Sequence, residues 1–174
     1  MSRLIRRAQV EDAAAIARVR VETWRAAYRG IVPDATLHAL DAERTRANWE
    51  RTLADQEATG LALYVVEDPE AGVAGYVGVG PERGQIAGAR GEVFMLYVHP
   101  AAQGRGYGRD LLMKGLDDLD RHGLFPAVVW VLHDNPARAF YERMGARYVT
   151  NQVIELGAPL VEDAYRWDDR GMAR

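Results

Sequence analysis

Two spacings of apolar residues alternate along this chain, and they divide it into helices and strands. Leu4 to Ala8 reads as a short first strand. After Glu11 and Asp12, the residues Ile16, Val19, Thr23, Trp24 and Ala27 recur every three or four positions, which predicts a helix from Ala13 to Tyr28 closed by Gly30. Ile31-Val32-Pro33-Asp34 is a turn into a second helical region, from about Ala35 to Gln56, with Leu37, Leu40, Trp49 and Leu53 facing inward and Asp41 interrupting it as a cap. From Leu61 the period shortens. Leu61 to Glu67 and Val73 to Gly80 read as strands joined by the turn Asp68-Pro69-Glu70-Ala71-Gly72. A polar loop, Pro81 to Gly91, leads to a further strand, Glu92 to Val98. Helical spacing returns at Arg109 to His122, where Leu111, Leu112, Gly115, Leu116 and Leu119 share one face and Asp110–Lys114 and Asp117–Arg121 pair on the other. Gly123 suits a left-handed terminator. Ala127 to Leu132 is apolar throughout, as a central strand would be. Asn135 can cap a helix with Pro136 at its first position, and Gly145 ends it. Tyr148 to Leu156 and Asp163 to Trp167 read as final strands around Gly157-Ala158-Pro159. The pattern predicts one α/β domain over residues 1–174, with its core over about 3–168 and no repeats or linkers.

The most informative stretch is Gln103-Gly104-Arg105-Gly106-Tyr107-Gly108, which lies between the strand ending at Val98 and the helix beginning at Arg109. Strand, glycine-rich turn and helix together make a device for holding phosphates. Glycines let the backbone turn tightly and approach a ligand closely. Successive N–H groups then converge on one concavity, and the positive end of the helix adds to the attraction for an anion. Two common phosphate motifs fail. A Walker loop needs a lysine after its last glycine, and the one lysine here, Lys114, lies deep in the following helix. The dinucleotide fingerprint needs a third glycine where Arg109 stands.

Composition narrows the chemistry. The chain has 174 residues, 48% of them hydrophobic and 27% charged, as expected for an ordinary globular domain. Its net charge of −3 and scattered arginines argue against a nucleic-acid partner, including one that would use Arg105 and Arg109 on phosphates. There is no cysteine, so neither disulfides nor a cysteinyl acyl-enzyme can form. The one serine is Ser2, so no serine triad is available. His38, His99, His122 and His133 lack metal-site spacing, and no metal is expected. No apolar run is long enough to span a membrane and the first residues lack a signal core, so a cytoplasmic location is expected.

Read as Gln103, Gly106 and Gly108, the spacing Gln-x-x-Gly-x-Gly resembles the cofactor signature of the GNAT superfamily of acetyl-CoA-dependent N-acetyltransferases. Leu96-Tyr97-Val98-His99-Pro100 is similar to that family's preceding strand end, and Asn135 to Gly145 to its later helix. The resemblance implies a mixed, mostly antiparallel sheet flanked by helices. It also implies an amine acceptor and acetyl-CoA as cosubstrate. The pyrophosphate would lie on Gln103, Gly104, Arg105, Gly106, Tyr107, Gly108 and Arg109, and the pantetheine arm would pair with Leu96, Tyr97 and Val98. The family usually places an asparagine seven residues before its helix tyrosine. Here Asn135 is six before Tyr141 and Asp134 is seven before it, which leaves open which of the two faces the pantetheine.

Transfer to an amine needs a neutral nitrogen and benefits from a proton for the departing sulfur. The candidate base is Glu92, at the start of the strand leading to the phosphate turn and eleven residues before Gln103, a spacing similar to that of the histone-acetylating branch. An ordered water is the alternative base, and a solvent-facing glutamate the structural one. The candidate acid is Tyr141, a donor at neutral pH, with core packing as its alternative. Trp24 and Tyr28, four apart on one helix face, would wall the acceptor pocket or pack in the core. A non-catalytic acyl-CoA-binding domain on the same fold is the rival to the enzyme, and a homodimer is left open.

Overall fold

The computed structural model describes residues 4–173; Met1, Ser2, Arg3 and Arg174 lie outside them. Seven strands form one sheet: β1 (Leu4–Arg7), β2 (Ala62–Asp68), β3 (Gly72–Pro81), β4 (Gly91–Val98), β5 (Ala127–Leu132), β6 (Arg147–Glu155) and β7 (Pro159–Trp167). Their order is β1-β2-β3-β4-β5-β7-β6. All neighbours are antiparallel except β4 and β5. The helices are α1 (Ala13–Ala27), α2 (Asp34–His38), α3 (Ala42–Ala54), α4 (Gln56–Thr59), α5 (Tyr107–Arg121) and α6 (Arg138–Arg143). This is the mixed, mostly antiparallel α/β architecture expected.

The second helical region is divided into three helices, with the expected interruption at Asp41. Asp41 has an extended backbone and its carboxylate accepts from the Arg44 N–H at 3.0 Å, so it starts α3 afresh. β7 begins at Pro159, four residues earlier than expected, because the segment 159–162 pairs with β6 across a tight hairpin. Asn135 accepts from the Ala137 N–H at 2.9 Å as expected of a cap, but a turn intervenes and α6 starts at Arg138.

Strand alternation sorts the core onto two faces. On β2, Ala62, Tyr64 and Val66 face α5, while Leu63 and Val65 face α1 and α3. The apolar stripe of α5 lands on the first face, where Leu111, Leu112, Leu116 and Leu119 are all buried. Removing any of these leucine side chains would cost about 2–5 kcal/mol. The helix approaches the sheet closely at Gly115, where an added Cβ would stand 2.8 Å from Val79 Cγ1 and 3.3 Å from Val77 Cγ2.

Gly115→Ala therefore opposes two effects. Alanine gains about 1 kcal/mol of helix propensity over glycine. Overpacking against stiff β-branched side chains costs about 1–3 kcal/mol. We expect packing to win, with thermal unfolding shifting downward by about 2–4 °C per kcal/mol of net loss. A raised melting temperature would mean that α5 can lift off β3 at little cost.

Candidate functional site

Parallel pairing of β4 and β5 lasts for only three positions, Gly91–Ala127, Glu92–Val128 and Val93–Val129. At the next residue the β3–β4 register shifts, Gly78 opposing Met95 and Val79 opposing Val93, so Phe94 is an extra residue in β4. Such a bulge bends the strand and increases its twist. Beyond it β4 keeps its bonds to β3 but pairs with nothing on its other side. The cleft-facing backbone of residues 94–98 is thus a free strand edge, tied at its end where the Val98 carbonyl accepts from Thr23 Oγ1 (3.3 Å) and Gln103 Nε2 (3.0 Å).

Between the parted strands lies a cleft of about 770 Å³, within the range of small-molecule and cofactor sites. One end is the glycine turn. Gly104 has φ +75° and an added Cβ there would meet nothing within 4 Å. Gly106 has φ +86° and precedes the first turn of α5, whose first bond runs from the Asp110 N–H to the Gly106 carbonyl. The initial N–H groups of a helix have no acceptor within it. An open cradle, a helix start and an unpaired strand edge thus border one space, and this suits a long ligand with an anionic end.

Most sequence-predicted residues converge here. Leu96, Tyr97, Val98, Gln103, Gly104, Gly106, Tyr107, Gly108, Arg109 and Asn135 line the cleft, as do Trp24, Tyr28 and Tyr141. Asp134 is exposed and does not line it, so of that pair it is Asn135 that faces the cleft. Trp24 and Tyr28 stack edge to face at 4.9 Å. Tyr141 is 7% exposed. Burial, and secondarily the neighbouring Tyr97, push its phenol well above the usual tyrosine range. The Tyr28 phenol is raised in the same way, burial first and Tyr97 next. Both stay protonated at neutral pH.

Two of the expected residues turn their side chains to partners of their own, and the backbone of Arg105 stays in the glycine turn. The Arg105 side chain does not line the cleft; its guanidinium is drawn to Asp68 at 3.2 Å. Glu92 does not line it either. Its carboxylate is 1% exposed and holds Arg83 bidentately, Nη2 to Oε1 at 2.5 Å and Nε to Oε2 at 3.1 Å. The Arg83 guanidinium is raised in pKa, chiefly by this bond. Glu92 is thus charge-balanced by Arg83. Arg83 sits in a polar loop nine residues upstream, and nothing in its local pattern announces the pairing.

Asp68 is the residue that sequence reading missed. It appears there as an ordinary turn residue. In the fold its Oδ1 accepts from the N–H groups of Glu70 and Ala71, and its Oδ2 accepts from the Tyr107 hydroxyl at 2.6 Å and from Arg105. It therefore fastens the glycine turn to the β2–β3 hairpin. Only an acidic residue between two predicted strands could have hinted at it.

The sequence profile described as the Acetyltransferase (GNAT) family matches residues 19–146. The N-acetyltransferase YuaI of Bacillus subtilis (strain 168) is 32% identical over 167 residues, covering 95% of this chain and 92% of its own length. A mycothiol acetyltransferase of Saccharomonospora viridis is 36% identical over 96 residues, but these make up only 31% of that longer protein. In fold, the chain resembles the PaiA N-acetyltransferase of Thermoplasma acidophilum in complex with coenzyme A (TM-score 0.76, 17% identity, 96% of this chain and 100% of that one). It also resembles YncA of Salmonella typhimurium with acetyl-CoA (TM-score 0.70, 24% identity, 97% and 94%).

The Asp68 carboxyl is held below the usual carboxylate range, by the Tyr107 hydroxyl first and the Glu70 N–H next. A lowered folded pKa means that its contribution is present above the unfolded value of about 3.9 and is lost as pH falls through the folded value. The stability that Asp68 adds should thus be present at neutral pH and fade on acidification below that point. Asp68→Asn should lower the thermal unfolding midpoint at neutral pH, and the gap between parent and variant should close as pH falls through the folded value. An unchanged midpoint for the variant at neutral pH would remove Asp68 as the anchor of the turn.

Proposed function

The chain belongs to the GNAT acetyltransferase family, and on that premise we propose that it transfers an acetyl group from acetyl-CoA to a primary amine by direct attack within a ternary complex. Family membership makes it an acyltransferase rather than a binding-only domain. The observation that carries the reading is that glycine turn, free β4 edge and Tyr141 border one cleft. The backbone of Gln103 to Arg109 would hold the pyrophosphate. The edge of Leu96 to Val98 would hold the pantetheine arm, with Asn135 opposite. Acetyl-CoA supplies the acyl group in activated form, as a thioester. The absence of any membrane-length apolar helix among the described residues supports our placing the reaction in the cytoplasm.

Tyr141 meets the charge that develops on the departing sulfur. Its phenol lies above its ordinary value of about 10, and a thiol lies near 8.5. Complete proton transfer from phenol to thiolate would therefore run uphill. The hydroxyl contributes instead as a hydrogen-bond donor that strengthens as negative charge accumulates. The amine must lose a proton, and in our reading an ordered water takes it. Both Glu92 oxygens are already engaged by Arg83, and the carboxylate stands outside the cleft wall.

Tyr141→Phe should lower kcat by more than tenfold while changing the acetyl-CoA dissociation constant little, because the lost interaction belongs to the transition state. The comparison is steady-state kcat beside calorimetric affinity, and full turnover in the phenylalanine variant would reduce Tyr141 to packing. Glu92→Gln should keep kcat within about tenfold of the parent while lowering thermal stability, since a neutral amide cannot balance Arg83. A loss of about 10²–10⁴-fold in a variant that remains folded, partly recovered at high pH, would reinstate Glu92 as the general base.

A further inference from the structure

The cleft is electrically polarised along its length. Three charged side chains line it among the described residues: Arg109 at the glycine turn, Arg143 on α6, and Glu162 on β7. Arg109 belongs to the glycine turn, and Arg143 to the helix that carries Tyr141. Glu162 stands on the opposite wall, opposing Leu132 on β5 and Gln152 on β6. Its neighbours along that wall are aromatic and aliphatic, with Trp24, Tyr28, Trp130 and Ile154 on the same cleft. Gln152 Nε2 donates to Glu162 Oε1 at 2.7 Å, which orients the carboxylate and leaves Oε2 without a hydrogen bond. Arg83 feels the charge of Glu162, but its guanidinium is committed to Glu92 through both Nε and Nη2. Glu92 is neutralised and hidden, so the negative charge that the acceptor meets is that of Glu162.

We propose that Glu162 is the acceptor-recognition residue, and that the acceptor is a protonated primary amine carried on an apolar or aromatic body. The inference rests on the acetyl-transfer reading above for the word acceptor, though the recognition itself needs no turnover. A carboxylate set in an aromatic wall binds an ammonium more strongly than one in open water, because screening is reduced and aromatic faces add cation–π attraction. The same wall would disfavour acceptors that are anionic near the amine. Glu162 acts on binding, not on the reacting bond: the ammonium docks as a cation, and water removes its proton before attack.

The test uses the full chain saturated with coenzyme A and two probes of matched shape, 2-phenylethylamine and the uncharged 2-phenylethanol. Binding is read from the fluorescence of the wall tryptophans and by calorimetry. The parent should bind the amine at least tenfold more tightly than the alcohol, and raising the salt concentration should weaken the amine alone. Glu162→Gln should weaken the amine by about tenfold and leave the alcohol unchanged, with Glu162→Asp in between. In turnover with acetyl-CoA, the same variant should raise KM for the amine and preserve kcat. Equal binding of the two probes by the parent, or an unchanged amine affinity in a folded Glu162→Gln variant, would overturn the proposal. The salt comparison needs no variant and decides the matter if the glutamine protein does not fold. Charge-selective binding with no acetylation would instead count against the transfer reading while leaving the role of Glu162 standing.

Discussion

The parting of β4 from β5 is the constraint on which the rest of this molecule depends. Two parallel strands that stayed paired would leave no space between them and no unpaired backbone. Here three pairs hold the strands together at one end, and they are held tightly. Gly91 has no room for a Cβ, which would overlap the Leu124 carbonyl, so the chain after α5 clamps the root of the split. The bulge at Phe94 then turns β4 away. The antiparallel strands on either side, β3 behind β4 and β7 behind β5, keep each half of the sheet continuous, so the opening frees the facing edges of β4 and β5 and leaves the pairing behind them intact. The cleft is a consequence of sheet topology, and the glycine turn, α6 and α1 are arranged around its rim.

Charge is organised on the same plan. Buried carboxylates in this fold are held in place by partners. Asp68 gathers Tyr107, Arg105 and two backbone N–H groups, and Glu92 is matched by Arg83. Asp163, 1% exposed, takes both His133 and Arg138, tying the start of α6 to β7. These are structural uses of charge, and breaking a buried pair by removing one member is costly because the other is left uncompensated. The charges left facing the cleft are Arg109, Arg143 and Glu162, at opposite ends. The cationic end suits a phosphorylated cosubstrate and the anionic end an ammonium.

What could be read in the sequence was what is local. The turn Gln103 to Gly108 announces itself because glycine spacing, preceding strand and following helix lie within some thirty residues. The stripe of α5 and the apolar run of β5 were legible because period alone specifies which side is buried. Tyr141, Trp24 and Tyr28 came with motifs. The rest was hidden by distance along the chain. Asp68 meets Tyr107 across 39 positions, and Arg83 meets Glu92 through a loop with no regular period. Glu162 looks like any polar residue near a strand end until β5, β6 and β7 are laid side by side. The break in the second helical region at Asp41 was legible because an acidic cap acts locally, through a single bond to the Arg44 N–H.

Amide hydrogen exchange with and without acetyl-CoA tests most directly that the cosubstrate lies along the split. Residues 94–98 and 103–109 should gain protection together when acetyl-CoA is added, while β1, β2 and β6 stay as they were. Acetyl-CoA bound at saturating concentration with neither segment protected would contradict the account, because the strand edge and the glycine turn would then both lie outside its site.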